Sequence, residues 1–426
     1  MKNNIEKNYE TAREFYGQYG VDTDLVIKKL NSIPVSIHCW QGDDCGGFEK
    51  EESELSGGGI LSTGNYPGKA RNLSELRKDI EKAFSLIPGV KRLSIHAMYG
   101  DFRSDNIDRN RIEKEHFESW IEWAKKLNVG LDFHPTLFSH PLANDGFTLS
   151  SRNGKIRNFW IDHVKRSREI SNFIGQSLKN PCVMNLWIPD GTKDNTVNRL
   201  FYRQILKSAL DEIFSVKYSE KYLIDTVESK LFGIGSESYV TGSYDFYLGY
   251  SLKNDLYITL DTGHFHPTEL VSDKISALLP FIKGIMLHLS RGVRWDSDHV
   301  TILNDELVSI MQEISRADVF EKVLISSDFF DGSINRIAAW VIGERAILKA
   351  VLFALLEPSN MLRQYEEENK LFARLGFMEQ LKSMPFGYVW DYFCQISGTP
   401  TEDKWINEVF EYENKVLSAR AGKSAG

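Results

Sequence analysis

The chain has 426 residues, of which 42% are hydrophobic and 26% charged, and it carries a formal net charge of −8. The acidic balance argues against a broad nucleic-acid surface, which needs clustered Lys and Arg, although a local basic groove stays open. Because no uninterrupted apolar run is long enough to span a bilayer, we expect neither nucleic acid nor a membrane as a partner.

The cysteines and the first residues predict a cytoplasmic protein. The four cysteines, Cys39, Cys45, Cys182 and Cys394, show neither CxxC spacing nor a dense framework, which favours reduced thiols. Residues 1–7 are polar and lack the apolar core of a secretory signal. We therefore expect a cytoplasmic location without disulfides.

The N-terminal part predicts helices, one strand and then an unusual loop. Residues 1–30 read as helical, with Ala12, Phe15 and Tyr16 on one stripe. A strand over residues 34–40 is followed by residues 41–71, which contain eight glycines and an acidic run. A long loop in a compact domain is usually functional or disordered, so we expect a lid over the active face. The alternative is that residues 41–71 form a mobile surface loop with no role as a lid.

Eight strand-like runs alternate with amphipathic helical patterns such as residues 73–86 and 116–127. The runs cover residues 34–40, 91–97, 130–134, 181–187, 222–228, 256–261, 283–288 and 323–328. Regular alternation predicts parallel pairing with right-handed crossovers, and eight strands favour a closed (β/α)8 TIM barrel. An open nucleotide-binding sheet is disfavoured, because the turn after the first strand does not fit GxGxxG.

After the eighth strand the pattern is helical. Apolar residues recur at helical spacing from Ile337 to Leu355, and Glu357 and Pro358 end that helix. Two or three further helices are expected over residues 360–420. We therefore divide the chain into a barrel domain over residues 1–345 and a C-terminal helical extension over residues 346–426, which we expect to pack on neighbouring subunits.

Acidic or imidazole side chains end four successive strands: Glu228, Asp261, His288 and Asp328. Because strand ends converge on one face of a parallel barrel, these side chains can share a cation there. Earlier strands also end in polar or aromatic residues, namely His38, Trp40, His96, Asp132, His134 and Trp187. A single strand-end Asp is usually a turn residue, and a single His or Trp usually packs in a core, but the repetition favours a metal site.

Two local clusters indicate a second cation. Asp261 and His264 fall three residues apart where a strand becomes a loop, and Asp296 and Asp298 alternate along the chain. Asp261 has two oxygens and is able to bridge both ions. Oxygen-rich sites with a histidine suit Mg²⁺, Mn²⁺ or Co²⁺.

Lys230 lies two residues beyond Glu228, where its ammonium would stabilise negative charge on a substrate oxygen. A simple Glu–Lys ion pair is the alternative. His96, Trp187 and Trp40 are candidates for a sugar pocket, with core packing as the alternative. The arginines Arg291, Arg294 and Arg336 are expected to be partners of the ligands.

Several long segments of the chain closely resemble the L-rhamnose isomerase family over nearly the whole length. They are PVSIHCWQGDD at 34–44, TGNYPGKARN at 63–72, NLWIPDG at 185–191, VESKLFGIG at 227–235, DTGHFHPTE at 261–269, RWDSDHV at 294–300 and DFFDGSINRIAAWV at 328–341. The resemblance implies a (β/α)8 barrel with a helical tail, a homotetramer, and interconversion of L-rhamnose and L-rhamnulose with a divalent metal, typically manganese. Mg²⁺, Co²⁺ or Zn²⁺ are alternatives.

The resemblance also implies roles for individual residues. A structural metal falls on Glu228, Asp261, His288 and Asp328. A catalytic metal falls on His264, Asp296 and Asp298, with Asp261 bridging. The family's lysine corresponds to Lys230, and its sugar-contacting residues correspond to His96 and Trp187.

Two chemical routes and several rival functions stay open. A hydride shift from C2 to C1, assisted by the cations and by Lys230, competes with proton transfer through an enediol, in which a carboxylate such as Asp328 is the base. Rivals are an isomerase of a related aldose, a metal-dependent phosphodiester hydrolase, and a sugar-binding regulator with a vestigial site.

Overall fold

The computed structural model describes residues 4–49, 64–102, 107–231, 237–293 and 296–421. Eight parallel strands form a closed barrel in chain order. They are β1 (Val35–His38), β2 (Lys91–His96), β3 (Gly130–His134), β4 (Cys182–Leu186), β5 (Leu223–Glu228), β6 (Tyr257–Asp261), β7 (Ile285–Leu289) and β8 (Val323–Ser327). The predicted (β/α)8 barrel is therefore confirmed, and each predicted strand overlaps an observed one.

Helices precede, surround and follow the barrel. They are α1 (Asn4–Gly17), α2 (Thr23–Leu30), α3 (Leu73–Leu86), α4 (Glu118–Leu127), α5 (Gly154–Leu178), α6 (Arg199–Ile213), α7 (Tyr244–Asn254), α8 (Val271–Leu278), α9 (Asp305–Ala317), α10 (Arg336–Leu355), α11 (Ser359–Glu367), α12 (Leu371–Leu381), α13 (Phe386–Ile396), α14 (Lys404–Tyr412) and α15 (Ser418–Ala421). The predicted helix over residues 73–86 coincides with α3, whose first turn is capped by the Asn72 side chain accepting from Glu75 N–H. No helix in the described part of the chain is long and apolar enough to cross a membrane.

The helical tail contains more helices than the sequence predicts. Two or three helices are expected over residues 360–420, whereas five helices, α11 to α15, occupy that stretch. Helix α12 leaves Leu371, Phe372 and Leu375 exposed, so its apolar residues do not mark a buried stripe of this chain. The long α10 runs without interruption across residues 345 and 346. The division into a barrel domain and an extension at that point stays a prediction.

The ends of the predicted lid are fixed to the start of α10, whereas residues 50–63 lie outside the described residues. Arg336 donates to both carboxylate oxygens of Asp44 at 2.8 Å and also to the Tyr66 carbonyl. The Tyr66 N–H donates to the Gly332 carbonyl at 2.7 Å. Gly64 has a φ of +116°, and a Cβ there would lie 2.3 Å from the Gly332 backbone, so only glycine fits. Lid closure itself stays a prediction.

Candidate metal centre and sugar pocket

Four ligand-type side chains meet at the C-terminal ends of β5 to β8. One ligand atom from each of Glu228, Asp261, His288 and Asp328 lies within 4.8 Å of all the others. His288 Nδ1 lies 3.2 Å from carboxylate oxygens of Glu228 and Asp328, and 4.0 Å from Asp261 Oδ2. The structure thus brings together the four residues that the strand ends predict as the first cation site.

A second group shares Asp261 with the first. Ligand atoms of Asp261, His264 and Asp296 lie within 4.8 Å of one another, and His264 Nε2 is 3.2 Å from Asp296 Oδ2. Gly263 lets the two carboxylates approach, since a Cβ at that position would lie 2.8 Å from Asp296 Oδ1. Among the described residues, Asp298 is not part of this group; its backbone is left-handed, with a φ of 43°, and its carboxyl group contacts Asp296. Its role as a ligand stays a prediction.

The donor set fits a divalent cation. Among the described residues, Asp261 Oδ2, Asp296 Oδ1, His264 Nδ1 and His288 Nε2 are buried without a hydrogen-bond partner. Buried polar atoms without partners are rare and costly, and carboxylate oxygens with imidazole nitrogens are ligands of divalent metals. The two groups, which share Asp261, therefore form a site suited to divalent metal.

The carboxylates and imidazoles of this centre shift one another's titration. Burial raises the pKa of Asp261 well above its ordinary value, and Glu228 adds to the effect. Burial alone would lower the pKa of His264 and His288, but the surrounding carboxylates raise both well above 6.5. Burial would raise the pKa of Asp328, yet the positive charge of His288 holds it below its ordinary value. The surrounding carboxylates thus favour the protonated form of both imidazoles.

Aromatic rings form the opposite side of the same barrel end. The ring of Trp40 lies 4.7 Å from that of His96 and 5.2 Å from that of His134, centroid to centroid. The ring of Phe138 lies 5.4 Å from that of His96. Trp40 also contacts the metal centre, because its Nε1 donates to Asp328 Oδ1 at 3.0 Å. The predicted pocket residues His96 and Trp40 therefore lie at the barrel end that carries the proposed ligands, and Trp40 also belongs to the buried core.

Lys230 and Trp187 lie together next to this wall. The Lys230 ammonium donates to the Pro189 carbonyl and to Glu237 Oε1, both at 2.7 Å, and it sits 5.9 Å from the ring centre of Trp187. Lys230 is only 3% exposed. Its carboxylate partner is thus Glu237, seven residues on, and not Glu228 as the simple ion-pair alternative proposes. With two N–H groups engaged, the ammonium keeps a third for another acceptor.

Two of the three arginines that the sequence associates with the ligands are described, and both have other partners. Arg336 pairs with Asp44, and Arg291 Nε donates to the Val300 carbonyl at 3.1 Å. Arg294 lies outside the described residues. For Arg336 the expectation of a ligand partner is wrong, because α10 directs its guanidinium to the base of the predicted lid.

Two contributions are missing from the sequence reasoning. The close approach at Gly263 is one of them, although its place between Asp261 and His264 gives a signal for it. The other is Asn185, whose Nδ2 donates to Glu228 Oε2 at 2.5 Å. Asn185 belongs to a segment that carries the family resemblance, but nothing in its spacing indicates that it reaches a carboxylate on the next strand.

Comparison with known proteins gives consistent results over the whole chain. The family model described as "RhaA: L-rhamnose isomerase (RhaA)" matches residues 3–420. L-rhamnose isomerases of Salmonella agona (strain SL483) and Salmonella enteritidis PT4 (strain P125109) are each 53% identical over 422 residues, covering 99% of this chain and 100% of the relative. Among solved structures, an L-ribulose 3-epimerase is similar at 11% identity and a TM-score of 0.46, covering 75% of this chain and 95% of its own. On the family match and the two curated relatives, this chain belongs to the L-rhamnose isomerase family.

Proposed function

We propose that this protein is an aldose–ketose isomerase that interconverts L-rhamnose and L-rhamnulose with two divalent cations, Mn²⁺ in the first place. The observation that carries the proposal is the pair of ligand groups that share Asp261. Two cations bridged by one carboxylate suit a reaction in which neighbouring oxygens of one substrate must be polarised together.

We assign the first cation to Glu228, Asp261, His288 and Asp328, and the second to Asp261, His264, Asp296 and Asp298. Manganese is the expected ion because the family resemblance implies it, and carboxylate oxygens with one histidine at each site suit it; Mg²⁺, Co²⁺ and Zn²⁺ are the alternatives. When bound, such cations polarise substrate oxygens and lower the pKa of a coordinated water.

The protein side chains bind the sugar and stabilise charge during transfer. His96 and Trp187 would hold the sugar by hydrogen bonding and by stacking on its apolar face. The free N–H of Lys230 would donate to O1 as negative charge develops there. In the favoured route a hydride moves from C2 to C1 while O2 loses a proton and O1 gains one. In the enediol route Asp328 would accept the C2 proton and a proton would return to C1, while O2 loses a proton and O1 gains one.

The direct test uses the whole protein, stripped with EDTA and assayed for ketose formation from L-rhamnose. We expect no turnover without metal and recovery on addition of Mn²⁺. A metal-loaded protein that binds L-rhamnose but makes no ketose would favour the sugar-binding regulator instead. L-rhamnose labelled with deuterium at C2 separates the two routes: retention of the label in the ketose supports the hydride shift, and exchange with solvent supports the enediol.

Asp296→Asn tests the second cation. We expect loss of turnover with an unchanged fold by circular dichroism, because an amide is a weaker ligand than a carboxylate. Glu269→Gln is the matched control, since Glu269 is exposed on the loop after β6 and pairs only with Lys274 among the contacts described. An unaltered rate in Asp296→Asn contradicts the assignment of Asp296.

Substrate breadth distinguishes the proposed activity from that of a related aldose isomerase. An apolar pocket for the 6-methyl group rejects an added hydroxyl only weakly, by about 100-fold or less. We therefore expect slow conversion of L-mannose, which has that hydroxyl, and also of L-lyxose, which lacks C6 and loses only the contact with the methyl group. A higher kcat/KM for either sugar than for L-rhamnose would assign the chain to that substrate.

A homotetramer in the cytoplasm completes the proposal. The exposed apolar residues of α12 support assembly through the helical tail, as Phe372 is 88% exposed and Leu375 61% exposed. The four buried free thiols fit a reducing compartment. Sedimentation of the protein tests the assembly, and a monomer at micromolar concentration would show that this role of the tail is wrong.

A further inference from the structure

We propose that Asn185 positions the metal ligand Glu228, and that Thr259 and Thr226 fix the orientation of Asn185. Asn185 Nδ2 donates to Glu228 Oε2 at 2.5 Å, and Thr259 Oγ1 donates to Asn185 Oδ1 at 2.7 Å. The Thr226 and Thr259 hydroxyls are 2.7 Å apart. These four side chains form one buried chain inside the barrel, each at most 3% exposed.

The register of the sheet makes this chain of hydrogen bonds possible. Asn185 on β4 lies opposite Thr226 on β5, and Glu228 on β5 lies opposite Thr259 on β6. Since alternate residues of a strand point to the same face, Thr226 and Glu228 both face inward with their neighbours. Barrel interiors are usually filled by branched apolar side chains, so three polar residues below a metal ligand call for a specific reason.

Counting hydrogens gives the chain a single direction. The Thr259 hydroxyl has one proton, and that proton is donated to Asn185 Oδ1. Thr226 must then donate to Thr259, and Asn185 must turn its NH₂ group towards Glu228. An amide held this way donates to the Glu228 carboxylate and does not accept from it.

The consequence for Glu228 is that its two oxygens have different tasks. Oε2 is occupied by the Asn185 amide, while Oε1 lies 3.5 Å from His264 Nδ1. His288 Nδ1 is 3.2 Å from both oxygens. Asn185 thereby holds the carboxylate with Oε1 turned towards His264 and both oxygens within reach of His288, and it acts on the cation only through Glu228. It is a positioning residue and not a ligand.

The test compares Mn²⁺ affinity in matched variants of the EDTA-treated whole protein, with free Mn²⁺ measured by electron paramagnetic resonance. Asn185→Leu removes the donor at similar volume, and we expect about 10- to 100-fold weaker binding, as for other partners of metal ligands. Thr259→Val leaves the amide free to rotate, and we expect about tenfold weaker binding. Thr259→Ser keeps the hydroxyl and should restore wild-type affinity.

The control is Thr301→Val, which removes a buried hydroxyl that donates only to the Leu289 carbonyl among the contacts described. It should leave Mn²⁺ affinity unchanged. The inference rests on the proposed cation site, and the outcomes separate the two. A wild-type protein that does not bind Mn²⁺ overturns both. Binding by the wild type with equal affinity in Asn185→Leu, or an equal loss in Thr259→Val and Thr301→Val, overturns only the positioning role.

Discussion

The pKa values of the histidines on the two halves of the barrel's C-terminal face are shifted in opposite directions. At the ends of β1 and β2, burial lowers the pKa of His38 to about 4 and that of His96 to about 3. On the half formed by β5 to β8, the carboxylates raise the pKa of His264 and His288 well above 6.5. Burial acts on all four, but only the second pair has acidic residues close enough to outweigh it.

This difference gives the two halves different chemical tasks. Neutral histidines among aromatic rings are suited to hydrogen-bonding and stacking on a neutral sugar. Histidines among carboxylates are suited to a cation, which replaces their protons when it binds. A single barrel end thus has an uncharged wall on one side and a charged centre on the other, and Trp40 joins them through its hydrogen bond to Asp328.

The largest effect is expected from the residue common to both ligand groups. Asp261→Asn replaces an oxygen ligand of each proposed cation, so turnover should fall roughly thousandfold or more, because metal stabilisation of the transition state is worth several kcal/mol. Ketose assays and metal content after dialysis check this result. Asp273→Asn, at the exposed start of α8, is the control. Retention of two bound ions in Asp261→Asn would contradict the bridging role.

Matched histidine variants in the two halves test the comparison directly. His96→Asn should lower kcat/KM for L-rhamnose about 10- to 100-fold, the cost of a lost hydrogen bond in a buried site, while Mn²⁺ affinity stays unchanged. His288→Asn should weaken Mn²⁺ binding. Kinetics combined with equilibrium dialysis separate the two results. Weakened Mn²⁺ binding in His96→Asn would show that the halves are not distinct.

The barrel and the grouping of its strand-end side chains could be predicted because both follow from local pattern. Alternation of strand and helix requires parallel strands, and the ends of such strands converge, so Glu228, Asp261, His288 and Asp328 could be associated from sequence alone. The metal-centre contacts that depend on loops were less predictable. Lys230 pairs with Glu237, seven residues on, which no local pattern indicates, and the left-handed backbone at Asp298 is likewise not apparent from its spacing to Asp296.

Whether the pKa of each histidine is raised or lowered could not be predicted from the sequence, for a physical reason. His96 and His288 both end apolar strands, and their patterns are alike. The pKa of each depends on which charges lie within a few ångströms after folding, and the sequence does not give those distances. The number of tail helices was unpredictable for a related reason. Apolar residues such as Phe372 are exposed, so their spacing does not indicate a helix face buried in this chain.

The pH dependence of cation binding follows from the same contrast. In the metal-free protein His264 and His288 stay protonated above 6.5, so their charged form stabilises the fold fully below that pH and the effect is lost as pH rises through the raised pKa. His96 behaves oppositely, since its neutral form stabilises above 6.5 and the effect is lost as pH falls towards about 3. Mn²⁺ must therefore displace protons from His264 and His288, whereas His96 has none to lose in this range.

Apparent Mn²⁺ affinity should therefore weaken as pH falls from 8 to 6, by about tenfold per unit for each proton displaced. Calorimetry in buffers of different ionisation enthalpy measures the number of protons released. His96→Asn should release as many protons as the wild type. Affinity that stays constant over this range would mean that the two imidazoles are neutral before the metal binds.

The smallest effect concerns the residue that joins the halves. Trp40→Phe keeps an aromatic ring beside His96 and His134 but removes the N–H that donates to Asp328 Oδ1 at 3.0 Å. We expect about tenfold weaker Mn²⁺ binding, the lower end for partners of metal ligands. Trp340→Phe is the matched control, because its indole N–H donates at 2.9 Å to the His38 carbonyl and not to a ligand. Equal losses in both variants would reduce Trp40 to a packing residue, whereas a loss confined to Trp40→Phe means that the uncharged wall also holds one carboxylate of the charged centre in position.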